Sequence, residues 1–149
     1  MAVTVDIQFA YSDDKLPDIG LINKWVNAVL IDLKKDAELT IRIVDETEAK
    51  ELNERWSKSK GATNVLSFPA NDATDILPDL LGDIIICAPV VEREATQQSK
   101  PLKAHWAHMI IHGTLHLLGY DHINENDAKI MESIEINTLA SLGFLNPYS

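Results

Sequence analysis

Apolar and polar residues alternate at the start of the chain. Val3, Val5, Ile7 and Phe9 are separated by Thr4, Asp6 and Gln8, the period-two pattern of a half-buried strand. Pro17 can open a helix, and Ile19, Ile22, Trp25, Val26, Val29 and Leu30 then recur at helical spacing. Leu39, Ile41 and Ile43 alternate as a second strand. Asp45 can cap a helix reaching about Trp56, with Glu48 three residues on completing a capping box. Residues 64–68 (NVLSF) read as a third strand ended by Pro69, and proline there favours a sheet edge. Residues 71–81 read as a loop. Residues 83–87 (DIIIC) form a short fourth strand, apolar enough to be buried on both faces, with Asp83 at a turn or strand start. A helix is expected over 89–98. Pro101 opens a long helix that Gly119 can end, and a last helix runs from about Asn126 to Leu142, stopped by Gly143.

The order is β-α-β-α-β-β-α-α-α. It predicts an α+β fold, an αβα sandwich with a four-stranded mixed sheet covered by helices. The third and fourth strands are joined by a loop and can pair antiparallel. No repeat or linker interrupts the pattern, so residues 1–149 are read as a single domain.

Composition narrows the function. The chain has 149 residues and a formal charge of −10, which excludes a general nucleic-acid coat while leaving room for a local basic patch. The one cysteine, Cys87, rules out an internal disulfide and fits a reducing compartment; in an apolar strand it reads as a buried, inert thiol. The opening MAVTVDIQFAYSDD lacks a basic n-region and a long apolar stretch, so no secretory signal is expected. The uncharged stretch 104–120 is short for a membrane span and holds four histidines. A soluble cytoplasmic protein is expected.

All five histidines lie between positions 105 and 122. At about 100° per residue, His105, His108, His112 and His116 share one helix face within an arc of about 80°. The helix is otherwise apolar, so a buried row of imidazoles needs partners. His112 and His116, four residues apart, project from neighbouring turns and can share one ion. Gly119 lets the chain leave the helix and swing back, which brings His122 to the same ion. Three imidazoles leave a tetrahedral zinc one open position, the pattern of catalytic sites. The spacing matches the metzincin signature, but Gly113 stands where those proteases carry the general-base glutamate. No general base is therefore assigned, and peptide hydrolysis loses its usual route. Hydrogen-bonded core histidines are the alternative; the register together with a turn glycine argues against it. His108 and His112 also stand four apart, but no third ligand follows from that pair. His105 lies about 10.5 Å along the axis from His112 and reads as structural. His108 reads as structural, with a group behind the ligands or a proton-transfer group as the alternatives. Asp121 reads as a turn residue or as an orienter of a ligand imidazole.

The run HGTLHLLGYDH from His112 to His122 resembles the signature of the YbeY endoribonucleases. TNVLSFP (63–69), LGDIIIC (81–87), PLKAHWAH (101–108) and GFLNPY (143–148) are similar to further family segments. The resemblance covers nearly the whole chain, most firmly residues 52–122. It implies a zincin-like αβα fold and one zinc per chain held by His112, His116 and His122. It also implies endonucleolytic cleavage of single-stranded RNA, maturation of ribosomal RNA at the 3′ end of the small-subunit RNA, and ribosome quality control. Small-subunit proteins and assembly factors are the implied partners; neither DNA nor a membrane is expected. One departure stands out. The family carries Leu-Asn, two residues, then Tyr-Arg; here Leu52-Asn53-Glu54-Arg55 is followed by Trp56 and Ser57, so serine takes the arginine position. The departure spares the metal ligands and bears on RNA positioning or cleavage.

From Arg55 to Asn71 the chain has three basic residues, Arg55, Lys58 and Lys60, and no acidic one. This stretch is the candidate binder of backbone phosphates. On a regular helix Arg55 points about 200° away from position 57; if the segment has left the helix, Arg55, Lys58 or Lys60 can replace the missing arginine. Trp56 and Phe68 can stack on bases, though core packing is the commoner role of such residues. A metal-containing ribosome-assembly module without catalysis is the competing reading, and a metallopeptidase the third.

Overall fold

The computed structural model describes residues 2–33, 35–57, 61, 63–70 and 79–149. The elements follow the expected order. They are β1 (Val3–Phe9), α1 (Ile19–Val29), β2 (Ala37–Val44), α2 (Glu46–Leu52), β3 (Val65–Pro69), β4 (Leu80–Cys87), α3 (Ala88–Gln97), α4 (Leu102–Leu117) and α5 (Glu125–Ser141). The strands form one sheet in the order β1-β2-β4-β3. β1 and β2 are parallel, β2 and β4 are parallel, and β3 pairs antiparallel with β4 as an edge. The α+β architecture with a mixed sheet is thus as the hydrophobic pattern predicts.

Strand alternation sorts side chains to two helical layers. Leu39, Ile41, Ile43, Ile84 and Ile86 face a large core completed by Ile22, Trp25 and Val26 of α1 and by Trp106, Ile110 and Ile111 of α4. Val44, Ile85 and Cys87 face the other way, against Ala49 of α2 and Val90 of α3. Both cores rest on burial of branched aliphatic side chains, each contributing about 1.5–3 kcal/mol. Cys87 is buried, and burial pushes its thiol pKa up, as expected of an inert cysteine.

Several local expectations change. Asp18, not Pro17, starts α1: its Oδ1 accepts the Leu21 N–H at 2.8 Å. Ile19 consequently sits in the first turn and is exposed. Asp45 caps α2 by accepting from Glu48 N at 2.9 Å, but the Glu48 carboxylate accepts from Arg42 Nε at 2.6 Å and Nη2 at 3.1 Å instead of closing a box. A cation on the neighbouring strand outcompetes an amide for the carboxylate. β4 begins at Leu80, so Gly82 and Asp83 lie inside the strand. The register shifts there, with Glu38 opposite Leu80 and Leu39 opposite Gly82, and such a bulge hides strand character from simple alternation. Of the predicted 71–81 loop, residues 71–78 lie outside the described residues.

α4 has buried residues on every side, as a helix apolar all round should. It packs against α1, α3, α5, β3 and β4. That central position holds the histidine face rigidly. Among the described residues, no helix is long and apolar enough to cross a membrane.

Candidate metal centre

Three elements build the site: the last turns of α4, the turn after it, and α5. α4 ends in a Schellman motif, with Gly119 N–H donating to His116 O at 3.0 Å and Tyr120 N–H to Leu115 O at 3.1 Å. The motif needs a left-handed residue, and Gly119 has φ +102°. The reversal brings His122 back beside the helix. The His112 and His122 ring centroids are 5.7 Å apart, and those of His116 and His122 are 5.3 Å apart.

The imidazole nitrogens of His112, His116 and His122 converge, with one donor atom from each lying within 4.8 Å of the others. His112 Nε2 and His116 Nε2 are 3.0 Å apart. Two nitrogens on one tetrahedral zinc stand about 3.3 Å apart, given bonds of about 2.05 Å. A displacement of a few tenths of an ångström suffices, so the donor set fits such an ion. Burial foremost, and then the neighbouring His112 charge, lower the His116 pKa; a neutral imidazole is the form that ligates metal. A cavity of about 260 Å³ opens beside His112 and His122, lined also by Met131, Glu132, Glu135 and Tyr148. A larger cavity of about 470 Å³ lies behind the site, against His105, His108 and the segment 143–149; it does not reach the three converging rings.

Glu135 and Tyr148 are the residues that sequence reasoning missed, Glu135 at the centre. Glu135 lies on α5, fully buried, between Met131 and Leu139 on the inward stripe. Its Oε2 accepts from His108 Nε2 and from His112 Nδ1, both at 2.9 Å. Its Oε1 accepts from the Tyr148 hydroxyl at 2.6 Å. Burial alone would raise the Glu135 pKa, but the bonds from His108, His112 and Tyr148 outweigh it and bring the value to about 2. An ionised carboxylate only accepts, so the protons sit on His108 Nε2 and His112 Nδ1. The lone pair of His112 is therefore on Nε2, facing His116. His108, His112 and Glu135 also lie close enough to hold a cation, yet both nitrogens facing Glu135 are occupied by protons in this arrangement. The signal available in sequence was a glutamate at the centre of an otherwise apolar i, i+4 stripe, Met131-Glu135-Leu139.

The remaining candidates separate clearly. His105 Nε2 donates to Glu94 Oε1 at 2.9 Å, and Glu94 also accepts from Asn64 Nδ2 at 3.1 Å. His105 thus ties α4 to the entry of β3 and is structural. His108 stands behind the three converging rings, joined to them through Glu135. Asp121 Oδ1 accepts the His122 backbone N–H at 2.7 Å but lies 3.9–4.0 Å from the rings of His122 and His116, which makes it a turn residue. Gly113 faces the sheet: a Cβ there would lie 2.9 Å from Ile84 Cγ2 and 3.3 Å from Ser67 Oγ. Ser67 Oγ donates to Gly113 O at 3.2 Å, so the NVLSF strand and the histidine helix meet at the residue after His112. A protease-type glutamate has no room at that position.

Beyond Leu52, the helix widens into a π-helical turn, Asn53–Ser57, a form often found at functional sites. Asn53 Nδ2 donates to Gly61 O at 2.8 Å, and Gly61 N–H donates to Glu54 Oε2 at 3.0 Å. These bonds hold Gly61 beside Asn53 and Glu54. Arg55 is exposed and pairs with Glu51 at 3.6 Å, a surface pair that constrains it little. Trp56 is 63% exposed, not packed in the core. Phe68 is packed against the Val44–Ile85 cluster. Lys58 and Lys60 lie outside the described residues.

Comparison with known proteins bears on family and fold. Residues 8–143 match the family model described as Endoribonuclease YbeY. Two curated relatives named "Endoribonuclease YbeY", from Pseudomonas syringae pv. syringae and pv. tomato, are each 51% identical over 146 residues, covering 97% of this chain and 87% of their own. The solution structure of TM1509 from Thermotoga maritima shares the fold, with a TM-score of 0.65 at 24% identity, over 93% of this chain and 89% of that one. The chain belongs to the endoribonuclease YbeY family.

Proposed function

We propose that this chain is a zinc-dependent endoribonuclease that cleaves single-stranded RNA. The convergence of His112, His116 and His122 beside an open cavity carries the reading, and the family name supports the RNA substrate. In this reading the three imidazoles hold one zinc per chain and Glu135 orients His112. When bound, zinc supplies Lewis acidity to a phosphodiester oxygen and acidifies water. Arg55, Lys58 and Lys60 bind flanking phosphates, and exposed Trp56 offers a face on which a base can stack. No side chain is assigned as general base. The family's role extends the proposal to a cytoplasmic enzyme in small-subunit ribosomal RNA 3′-end maturation and ribosome quality control, with small-subunit proteins and assembly factors as partners.

Ser57 at the arginine position favours one competing reading, a metal-containing assembly factor that does not cut. Incubating zinc-loaded protein with labelled single-stranded RNA, with and without a chelator, separates the two. Cleavage that stops with chelator and returns with zinc is expected. Intact RNA with zinc bound would favour the assembly factor.

A further inference from the structure

We infer that Tyr148, acting through Glu135, is a positioning residue for the metal centre, so that the segment Gly143–Ser149 works as a strap tightening the His112 ligand. The inference rests on the reading of His112, His116 and His122 as ligands.

The path is continuous. α5 ends in a second Schellman motif, with Gly143 N–H donating to Ala140 O at 3.0 Å and Phe144 N–H to Leu139 O at 2.9 Å. Phe144 then docks edge-on against buried Trp25, with centroids 6.4 Å apart. The chain is thereby returned along α5, and the Asn146 side chain accepts the Tyr148 N–H at 2.8 Å. The Tyr148 ring stands edge-on to His108 at 5.4 Å, and its hydroxyl donates to Glu135 Oε1 at 2.6 Å. Glu135 Oε2 takes the His112 Nδ1 proton.

Each link has one chemical consequence. The short phenol bond fixes the carboxylate plane. The carboxylate fixes the His112 tautomer and ring rotation. The ring presents the Nε2 lone pair toward His116. Carboxylate–imidazole–metal chains raise ligand basicity and hold its orientation, and losing the outer partner typically costs about 10–100-fold in metal affinity. Among the described residues, the hydroxyl of Tyr148 reaches Glu135 and His108.

The test is zinc affinity, read by competition with a chromophoric chelator, for wild type, Tyr148→Phe, Glu135→Gln, the double variant and His116→Ala. Thermal denaturation of each metal-free protein runs alongside. Tyr148→Phe keeps the ring and loses only the hydroxyl, so it remains informative if Glu135→Gln fails to fold. We expect Glu135→Gln to weaken zinc binding about 10–100-fold and Tyr148→Phe to weaken it less. In the Glu135→Gln background, Tyr148→Phe should add nothing, because its effect runs through that carboxylate. Nitrogen NMR of His112 should show the Nδ1–H tautomer in wild type and a mixture in Glu135→Gln. Unchanged zinc affinity in folded Tyr148→Phe, or the same loss in both backgrounds, would overturn the inference. If His116→Ala also binds zinc as wild type does, the metal reading itself fails; if only His116→Ala loses zinc, the strap alone fails.

Discussion

A Cβ on residue 113 would press on Ile84 Cγ2 at 2.9 Å, so the site's chemistry is constrained by one missing carbon. Gly113→Ala should destabilise the protein by about 1–3 kcal/mol, as overpacked cores do, and Gly113→Glu should yield no peptidase. Thermal denaturation and a casein assay check both, and a stable, casein-cutting Gly113→Glu would contradict the packing account. Glu135 carries a second expectation. Its folded pKa, about 2, lies below the ordinary value of 4.5, so its stabilisation is fully present above pH 4.5 and is lost as the pH falls toward 2. The shift corresponds to about 3 kcal/mol. In urea denaturation of metal-free protein, the stability gap between wild type and Glu135→Gln should narrow between pH 5 and pH 3; a constant gap would count against an ionised Glu135. His112, His116 and His122 were legible because their spacing repeats on one helix and its turn. Glu135 and Tyr148 were not, since each meets His112 or His108 only after α5 has packed on α4.

Elements set how accurately those residues meet. The Schellman turn at Gly119, φ +102°, has no neighbouring atom within 4 Å of an added Cβ. Gly119→Ala should therefore cost only left-handed backbone strain, about 1–2 kcal/mol. Relieving that strain shifts the turn that carries His122, so zinc binding should weaken, measurable by chelator competition; unchanged affinity would show that the turn holds His122 in place without glycine. β1, α1 and β2 were readable from period-two and period-3.6 patterns because each has one buried face, whereas α4, buried on every side, was readable from its length and its bounding Pro101 and Gly119. The start of β4 was not, because the bulge opposite Glu38 and Leu39 breaks the alternation. The π-turn at Asn53–Ser57 was equally hidden, because its residues fit an ordinary helix and the widening lies in the backbone bonding of the folded chain.

At the scale of the molecule, a net charge of −10 leaves the basic segment as the candidate attraction for RNA. Three phosphate contacts predict a slope of about −2 for log affinity against log salt with single strands. Fluorescence anisotropy should show that slope, with Lys58→Ala and Lys60→Ala each reducing it by about 0.7. An unchanged slope in the double variant would place the RNA elsewhere. The sheet order and the two helical layers follow from patterns readable along the chain, whereas the alignment of Tyr148, Glu135 and His112 exists only in the folded state. The central claim is that the three converging imidazoles are the reactive centre. It is tested most directly by His116→Ala, shown to be folded, assayed for bound zinc and for cleavage of labelled single-stranded RNA beside wild type. The account predicts that zinc and cleavage are lost together. Cleavage at the wild-type rate by zinc-free His116→Ala would contradict it.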